Sequence, residues 1–221
     1  MTEMQPQIRS PRFFRAFETW NRKFHIYLGL YFLLFIWLFS ISGLVLNHPR
    51  WQFAQFWPTR EQTSFEQSFQ APVATGNLPM AQDLMRQFKI DGEIYQLTNN
   101  VEQGQFAFRV MKPRTRFLIK ADLKSQRATI ERIRVNGWGV LYALHLFSGV
   151  RMENPELKRD WFWTKLWSFS MDALAVGLVV MVLGGVYMWY QLKPKRGWGL
   201  VVLALGILSC GLFVFGLSRL P

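Results

Sequence analysis

Three long apolar runs constrain this chain more than any other feature of its sequence. They fall within residues 26–47, 166–190 and 198–218. An α-helix rises about 1.5 Å per residue, so about 20 apolar residues cross the ~30 Å hydrocarbon core of a bilayer. The sequence therefore predicts three transmembrane helices at these positions.

The basic residues beside these runs predict the topology. Residues 1–25 form a basic leader, and the short link 191–197 between the second and third runs is also basic. Because lysine and arginine in short flanks stay on the cytoplasmic side, we expect both segments in the cytoplasm. The loop 48–165 and the C-terminus then lie in the periplasm of a bacterial inner membrane. The first run lacks a cleavage-site pattern after it, so we expect it to remain as an anchor.

Composition excludes several other classes of protein. The formal net charge is +12, but the basic residues border apolar runs or scatter through the loop and form no nucleic-acid motif. Such residues more often set topology and contact anionic lipid. The one cysteine, Cys210, lies in the third run, which excludes an intrachain disulfide and a cysteine-rich zinc site.

The large loop contains a predicted α+β domain. Residues 48–78 are expected to form an irregular connector, and 136–165 an interfacial or re-entrant segment that is too short to span. Between them, helical periodicity at 79–135 gives way to strand-like alternation. The fold class is an integral membrane α-helical protein with three transmembrane helices and an inserted small α+β extracytoplasmic domain. The predicted helix is 80–89, the strands are 93–97, 105–111, 116–123 and 127–135, and the turns are 99–100 and 112–114.

Three histidines are the candidate cofactor ligands. His25 precedes the first span, His48 follows it, and His145 lies in the short apolar stretch of the outer loop. His25 and His48 are separated by about 34 Å of helix, so they cannot share one metal within a monomer. His48 and His145 can meet, and two imidazoles in an aromatic pocket suit the axial positions of haem b. The alternatives are histidines that contact lipid headgroups, or a zinc or copper site with two histidines and a carboxylate.

Asp172 at the start of the second span is a further candidate. A carboxylate there is costly unless it is paired or functional, and it can accept a hydrogen bond from a ligand imidazole. Alternatively it reaches the interface, or it pairs with Lys165 or Arg50. The small residues in the first two spans, and their methionines, are expected to serve helix packing. The small residues are Ser40, Ser42, Gly43, Gly177, Gly184 and Gly185, and the methionines are Met171, Met181 and Met188.

Several motifs, in this order, resemble PepSY-associated transmembrane proteins. The unit at 79–135 is similar to a PepSY domain, and the whole resemblance covers 22–192. The motifs are HIYLGLY at 25–31, SGLVLNH at 42–48, LHLFSG at 144–149, and the run from Asp172 to GGVYMWY at 184–190.

The resemblance implies a redox function. The family includes iron-regulated membrane proteins and ferric-siderophore reductases, some of which are similar to b-type cytochromes. On that basis His48 and His145 hold an outer haem b, and His25 belongs to an inner site. This chain has no second inner histidine, so a homodimer or a partner complex would supply that ligand. The alternative is a non-enzymatic accessory subunit of a larger membrane complex, and a transporter is disfavoured because no inverted repeat is visible.

Overall fold

The computed structural model describes residues 12–100, 104–147, 156–192 and 196–217. Five helices, five strands and one 3-10 turn form within these ranges. Some predicted segments lie partly outside the described residues: 1–11 of the leader, 148–155 of the interfacial segment 136–165, and 193–195 of the basic turn 191–197. In chain order the elements are α1 (Arg12–Asn47), the turn Gln52–Ala54, β1 (Glu61–Ser68), α2 (Asn77–Phe88), β2 (Glu93–Asn100), β3 (Gln105–Met111), β4 (Thr115–Asp122), β5 (Arg127–Arg134), α3 (Gly137–Leu146), α4 (Phe162–Gln191) and α5 (Arg196–Leu217).

Helices α1, α4 and α5 are long and apolar enough to cross a membrane. Only 17%, 11% and 0% of the residues in their most apolar stretches are buried within the chain. Large apolar side chains such as Leu34, Val182 and Leu208 are exposed along them. Such surfaces are unfavourable in water but match lipid hydrocarbon. The three predicted helices of spanning length are therefore confirmed, although α1 already begins at Arg12, inside the predicted leader.

The strands form one antiparallel sheet in the order β1-β5-β4-β3-β2. One face is apolar: Phe106, Phe108 and Val110 on β3 are buried, as their alternation predicts. Helix α2 covers this face with Ala81, Leu84, Met85 and Phe88, all of which are buried. The predicted helix followed by an antiparallel meander is confirmed, and burial of this shared core stabilises the domain.

Two predictions in this domain are wrong. Residues 61–68 form strand β1, which pairs antiparallel with β5, instead of irregular connector. The strand is largely exposed, so it shows no apolar alternation that would have indicated it. Asn99 and Asn100 belong to strand β2 and not to a turn, since Asn100 pairs with Gln105. The turn at 112–114 is confirmed, because Lys112 and Thr115 exchange backbone hydrogen bonds across it.

The chain divides into two compact units. The first contains residues up to Leu33 together with those from Ala173 onward. Helices α1 and α4 pack closely in this unit, because a Cβ on Gly177 would lie 2.2 Å from Cε2 of Phe32. A Cβ on Gly184 would lie 2.8 Å from Oδ1 of Asn21. The predicted packing role of these glycines is confirmed.

The second unit, Leu34–Asp172, contains the sheet, α2, α3 and the adjoining ends of α1 and α4. Asn136 caps α3, because its side chain accepts a hydrogen bond from the backbone N–H of Gly139 at 3.1 Å. Its Nδ2 also donates to Gln55 O and to Thr59 Oγ1, which joins α3 to the segment that follows α1. This cap positions α3, and with it His145, beside the last turns of α1.

Candidate functional site

His145 on α3 is hydrogen-bonded to the membrane helix α1. Its Nδ1 lies 2.7 Å from Oγ of Ser42, which is 1% exposed. The Ser42 hydroxyl also donates to the carbonyl oxygen of Phe39 at 3.2 Å. A hydroxyl has a single hydrogen to donate, so the network assigns the proton between His145 and Ser42 to Nδ1. In the neutral imidazole this arrangement leaves the lone pair on Nε2, which is the nitrogen that can then bind a metal.

Aromatic side chains surround this imidazole. The rings of Phe39 and His145 have centroids 5.2 Å apart, and Phe39 stacks on Trp167 at 6.3 Å. A Cβ on Gly43 would lie 3.5 Å from Cε1 of His145, which is an ordinary van der Waals distance. Gly43 therefore lies directly beside the ring. Beside α3, an apolar cavity of about 380 Å³ is lined by Pro113, Leu144, Phe147, Trp161, Trp163 and Trp167.

His48 follows the last residue of α1 and has the same proton arrangement. Its Nδ1 lies 2.9 Å from the carbonyl oxygen of Leu44, which can only accept, so Nδ1 carries the proton. In the neutral imidazole the lone pair is therefore on Nε2 here as well. The ring is exposed and stacks on Trp51 with centroids 4.4 Å apart. It borders a cavity of about 290 Å³ whose other walls include Val45, Leu46, Trp51, Phe56, Trp57 and Tyr142.

The structure places His48 and His145 in one unit but not in direct contact. Tyr142, one turn before His145 on α3, borders the cavity of His48. No hydrogen bond or ring contact joins the two imidazoles in the described ranges. No group of three or more His, Cys, Asp or Glu side chains placed to hold a metal ion occurs among the described residues. Those residues therefore give no support to the alternative metal site of two histidines and a carboxylate, which needs three such side chains. Bis-histidine haem ligation needs only two ligands, so it is not tested by this observation.

His25 lies in the other unit. Its Nδ1 is buried and has no hydrogen-bond partner among the residues that the structure describes. A Cβ on Gly185 would lie 3.8 Å from Cε1 of His25. One turn earlier, Asn21 Nδ2 donates to the carbonyl oxygen of Gly184 at 3.1 Å. His25 therefore faces the glycine pair of α4, and it lacks the Nδ1 hydrogen bond of the two outer histidines.

Asp172 does not contact an imidazole. The residue is exposed on α4 and forms no hydrogen bond or ion pair within the described part of the chain, including with Lys165 or Arg50. The hydrogen-bond partner of a candidate ligand is Ser42 instead. Sequence reasoning assigned Ser42 to helix packing, because a serine beside a glycine in an apolar helix is typical of close packing.

A buried carboxylate that sequence reasoning missed lies where α4 begins. Glu93 is 1% exposed, and its two oxygens accept hydrogen bonds from the backbone N–H groups of Asp160 at 3.1 Å and Trp161 at 3.2 Å. Burial raises the pKa of Glu93, and these hydrogen bonds oppose the rise. Glu93 is the first residue of β2, so these two hydrogen bonds connect the sheet to the residues directly before α4. It also lines a cavity of about 450 Å³ with Arg86 and Lys158.

Comparison with known proteins identifies no relative. No family model, curated protein or solved structure matches the chain. The resemblance to PepSY-associated transmembrane proteins therefore stays a prediction that rests on the sequence motifs.

Proposed function

We propose that this chain binds haem b near the end of α1 and transfers electrons at the periplasmic face of a bacterial inner membrane. His48 and His145 are the proposed axial ligands, and a ferric siderophore is the proposed class of acceptor. The PepSY-associated family supplies the precedent for this proposal. The observation that carries it is the shared hydrogen bonding: Nδ1 of each imidazole has a partner, and Nε2 of neither has one in the described part of the chain.

The donor chemistry matches the requirements of haem iron. A histidine ligand normally donates its second ring N–H to a nearby acceptor, which fixes the tautomer and the ring orientation. Ser42 Oγ serves His145 in this way, and the Leu44 carbonyl oxygen serves His48. Bound haem would supply one-electron transfer at its iron. The chain's own contribution is to orient the two imidazoles and to exclude water with Phe39 and Trp167.

A second candidate function is that of a non-enzymatic accessory subunit. Helix α5 favours it, because none of its most apolar stretch is buried within the chain. A partner subunit is one surface that would cover this helix, and lipid is the other. On this alternative the histidines contact lipid headgroups and bind no chromophore.

A reduced-minus-oxidised visible spectrum of the protein purified in detergent tests the two functions. We expect the sharp reduced bands of low-spin haem b, and their loss in His48→Ala and in His145→Ala. The exposed Gln55→Ala variant, close to His48 in the same cavity wall, is the matched control and should keep the bands. A flat spectrum after expression with ample haem would contradict the haem proposal. Co-purification with a larger complex would then favour the accessory subunit.

A further inference from the structure

Two guanidinium groups lie over the indole ring of Trp57. The Cζ atom of Arg60 is 4.5 Å from the ring centroid, and that of Arg116 is 6.0 Å from it. Arg60 follows Trp57 in the connector, whereas Arg116 comes from strand β4, so two separate segments converge here. We call Trp57, Arg60 and Arg116 the basic aromatic cluster.

The positive charge of this cluster is not neutralised within the described part of the chain. Arg60 uses Nη1 to donate to the carbonyl oxygen of Trp57 at 2.8 Å, while its buried Nε has no hydrogen-bond partner among the described residues. Neither arginine forms an ion pair there. The neighbouring carboxylate of Glu61 lies 3.7 Å from Arg134 instead. Both guanidinium groups therefore lie within 6.0 Å of one ring centroid, and no carboxylate in the described part of the chain is paired with them.

Trp57 of this cluster lies near the end of α1. Trp57 lines the cavity of about 290 Å³ together with Val45 and Leu46, which belong to the last turn of α1. If α1 crosses the membrane, its last turn marks the boundary between hydrocarbon and headgroups. Tryptophan is enriched at this boundary, where its ring meets both apolar and polar groups. On that condition, the two arginines beside the Trp57 ring lie near headgroup level, and Trp57 itself borders the cavity.

We propose that Trp57, Arg60 and Arg116 bind the phosphate group of an anionic phospholipid, whose acyl chain begins in the adjoining cavity. Arginine binds phosphate through two parallel N–H···O hydrogen bonds, which a lysine cannot reproduce. A net negative headgroup is selected because two unneutralised cations face it, whereas a zwitterionic headgroup also brings its own cation. This proposal rests on the membrane insertion of α1, and it does not depend on haem.

Native mass spectrometry of the full-length protein in mild detergent tests the site. The probes are phosphatidylglycerol and phosphatidylcholine with identical acyl chains. We expect the wild-type protein to prefer phosphatidylglycerol by about tenfold, and the double variant Arg60→Gln/Arg116→Gln to lose that preference. The matched control is Lys120→Gln/Lys124→Gln, which removes the same charge near the opposite end of β4 and should keep it. If the double variant fails to fold, Arg116→Gln alone serves, because the Arg116 side chain makes no hydrogen bond to the backbone of the residues that the structure describes.

Several outcomes would overturn the proposal. Equal affinity of the wild-type protein for the two lipids would exclude a headgroup-selective site. Equal loss in the cluster variant and in the control variant would indicate general charge attraction. Displacement of phosphatidylglycerol by millimolar inorganic phosphate would identify free phosphate as the ligand. Alkaline carbonate extraction of the wild-type protein from membranes would disprove the membrane insertion itself, which separates that failure from a failure of the lipid site.

Discussion

At the scale of single residues, Ser42 matters because its hydroxyl is hydrogen-bonded to the imidazole of His145. Ser42 is 1% exposed and His145 is partly buried, so an imidazole N–H that loses this hydroxyl loses a partner that water replaces only in part. The same bond fixes which ring nitrogen carries the proton. Both the stability of the unit and any metal chemistry of His145 therefore depend on Ser42.

We predict that Ser42→Ala lowers the free energy of unfolding by about 1 kcal/mol, because His145 Nδ1 loses its partner. If haem is bound, its content should fall as well. Thermal unfolding in detergent measures the first effect, and haem content per chain measures the second. Ser40→Ala is the matched control, since Ser40 is exposed on the same helix. An unchanged unfolding temperature in Ser42→Ala would show that the hydrogen bond does not stabilise the unit.

Glu93 gives the unit a predicted pH dependence. Its pKa in the unfolded chain is close to 4.5, and burial raises it in the folded protein. Between these two values the folded state holds more protons than the unfolded state, so stability falls as pH rises through that window. We predict that Glu93→Gln flattens this fall, because the side chain no longer titrates. Unfolding temperatures measured from pH 4.5 upward test it, and equal slopes in wild type and variant would contradict it.

At the scale of elements, the packing of α1 against α4 depends on Gly177. We predict that Gly177→Ala lowers the free energy of unfolding by about 1–3 kcal/mol, because its Cβ would lie 2.2 Å from Phe32. Gly206→Ala on α5 is the matched control, since nothing lies within 4 Å of a Cβ there. Phe32→Leu added to Gly177→Ala should restore part of the loss. Equal unfolding temperatures of the two glycine variants would rule out close packing at this position.

Some elements were predictable from sequence and others were not, for physical reasons. The long apolar helices were predictable because each apolar run is long enough to cross the hydrocarbon core of a bilayer. Strand β3 was predictable because Phe106, Phe108 and Val110 show the period of a half-buried strand. Strand β1 carries little apolar pattern, because it is exposed and is held by backbone pairing with β5.

The candidate site was predictable only in part. The histidines were recognisable as candidate ligands because the chain has only three of them and each lies beside or within an apolar segment. The bond between Ser42 and His145 joins residues 103 positions apart, and neither apolar segment shows a pattern that would indicate it. Glu93 was missed for the same reason, since its partners are backbone N–H groups 67 and 68 residues away. Such bonds follow from tertiary packing, which local periodicity does not contain.

At the scale of the whole molecule, the positive-inside rule predicts a single orientation. The 17 Lys and Arg residues of the loop 48–165 do not oppose it, since long loops translocate largely regardless of charge. The sheet, α2, α3, His48 and His145 then lie on the periplasmic side. The same rule predicts that His25 and the start of α1 lie on the cytoplasmic side. Electron transfer to a periplasmic acceptor requires the orientation that places the sheet outside, whereas the lipid site requires only that α1 is inserted in the membrane.

Cysteine labelling of intact cells tests this orientation. In a Cys210→Ser background, we predict that Val73→Cys reacts with a membrane-impermeant maleimide before lysis, because Val73 is 95% exposed beside the sheet. Thr19→Cys, exposed near the start of α1, should react only after lysis. Reversed labelling would place the sheet in the cytoplasm, where a periplasmic electron acceptor cannot reach it. Labelling of both positions before lysis would mean that α1 does not cross the membrane, because one crossing must separate Thr19 from Val73.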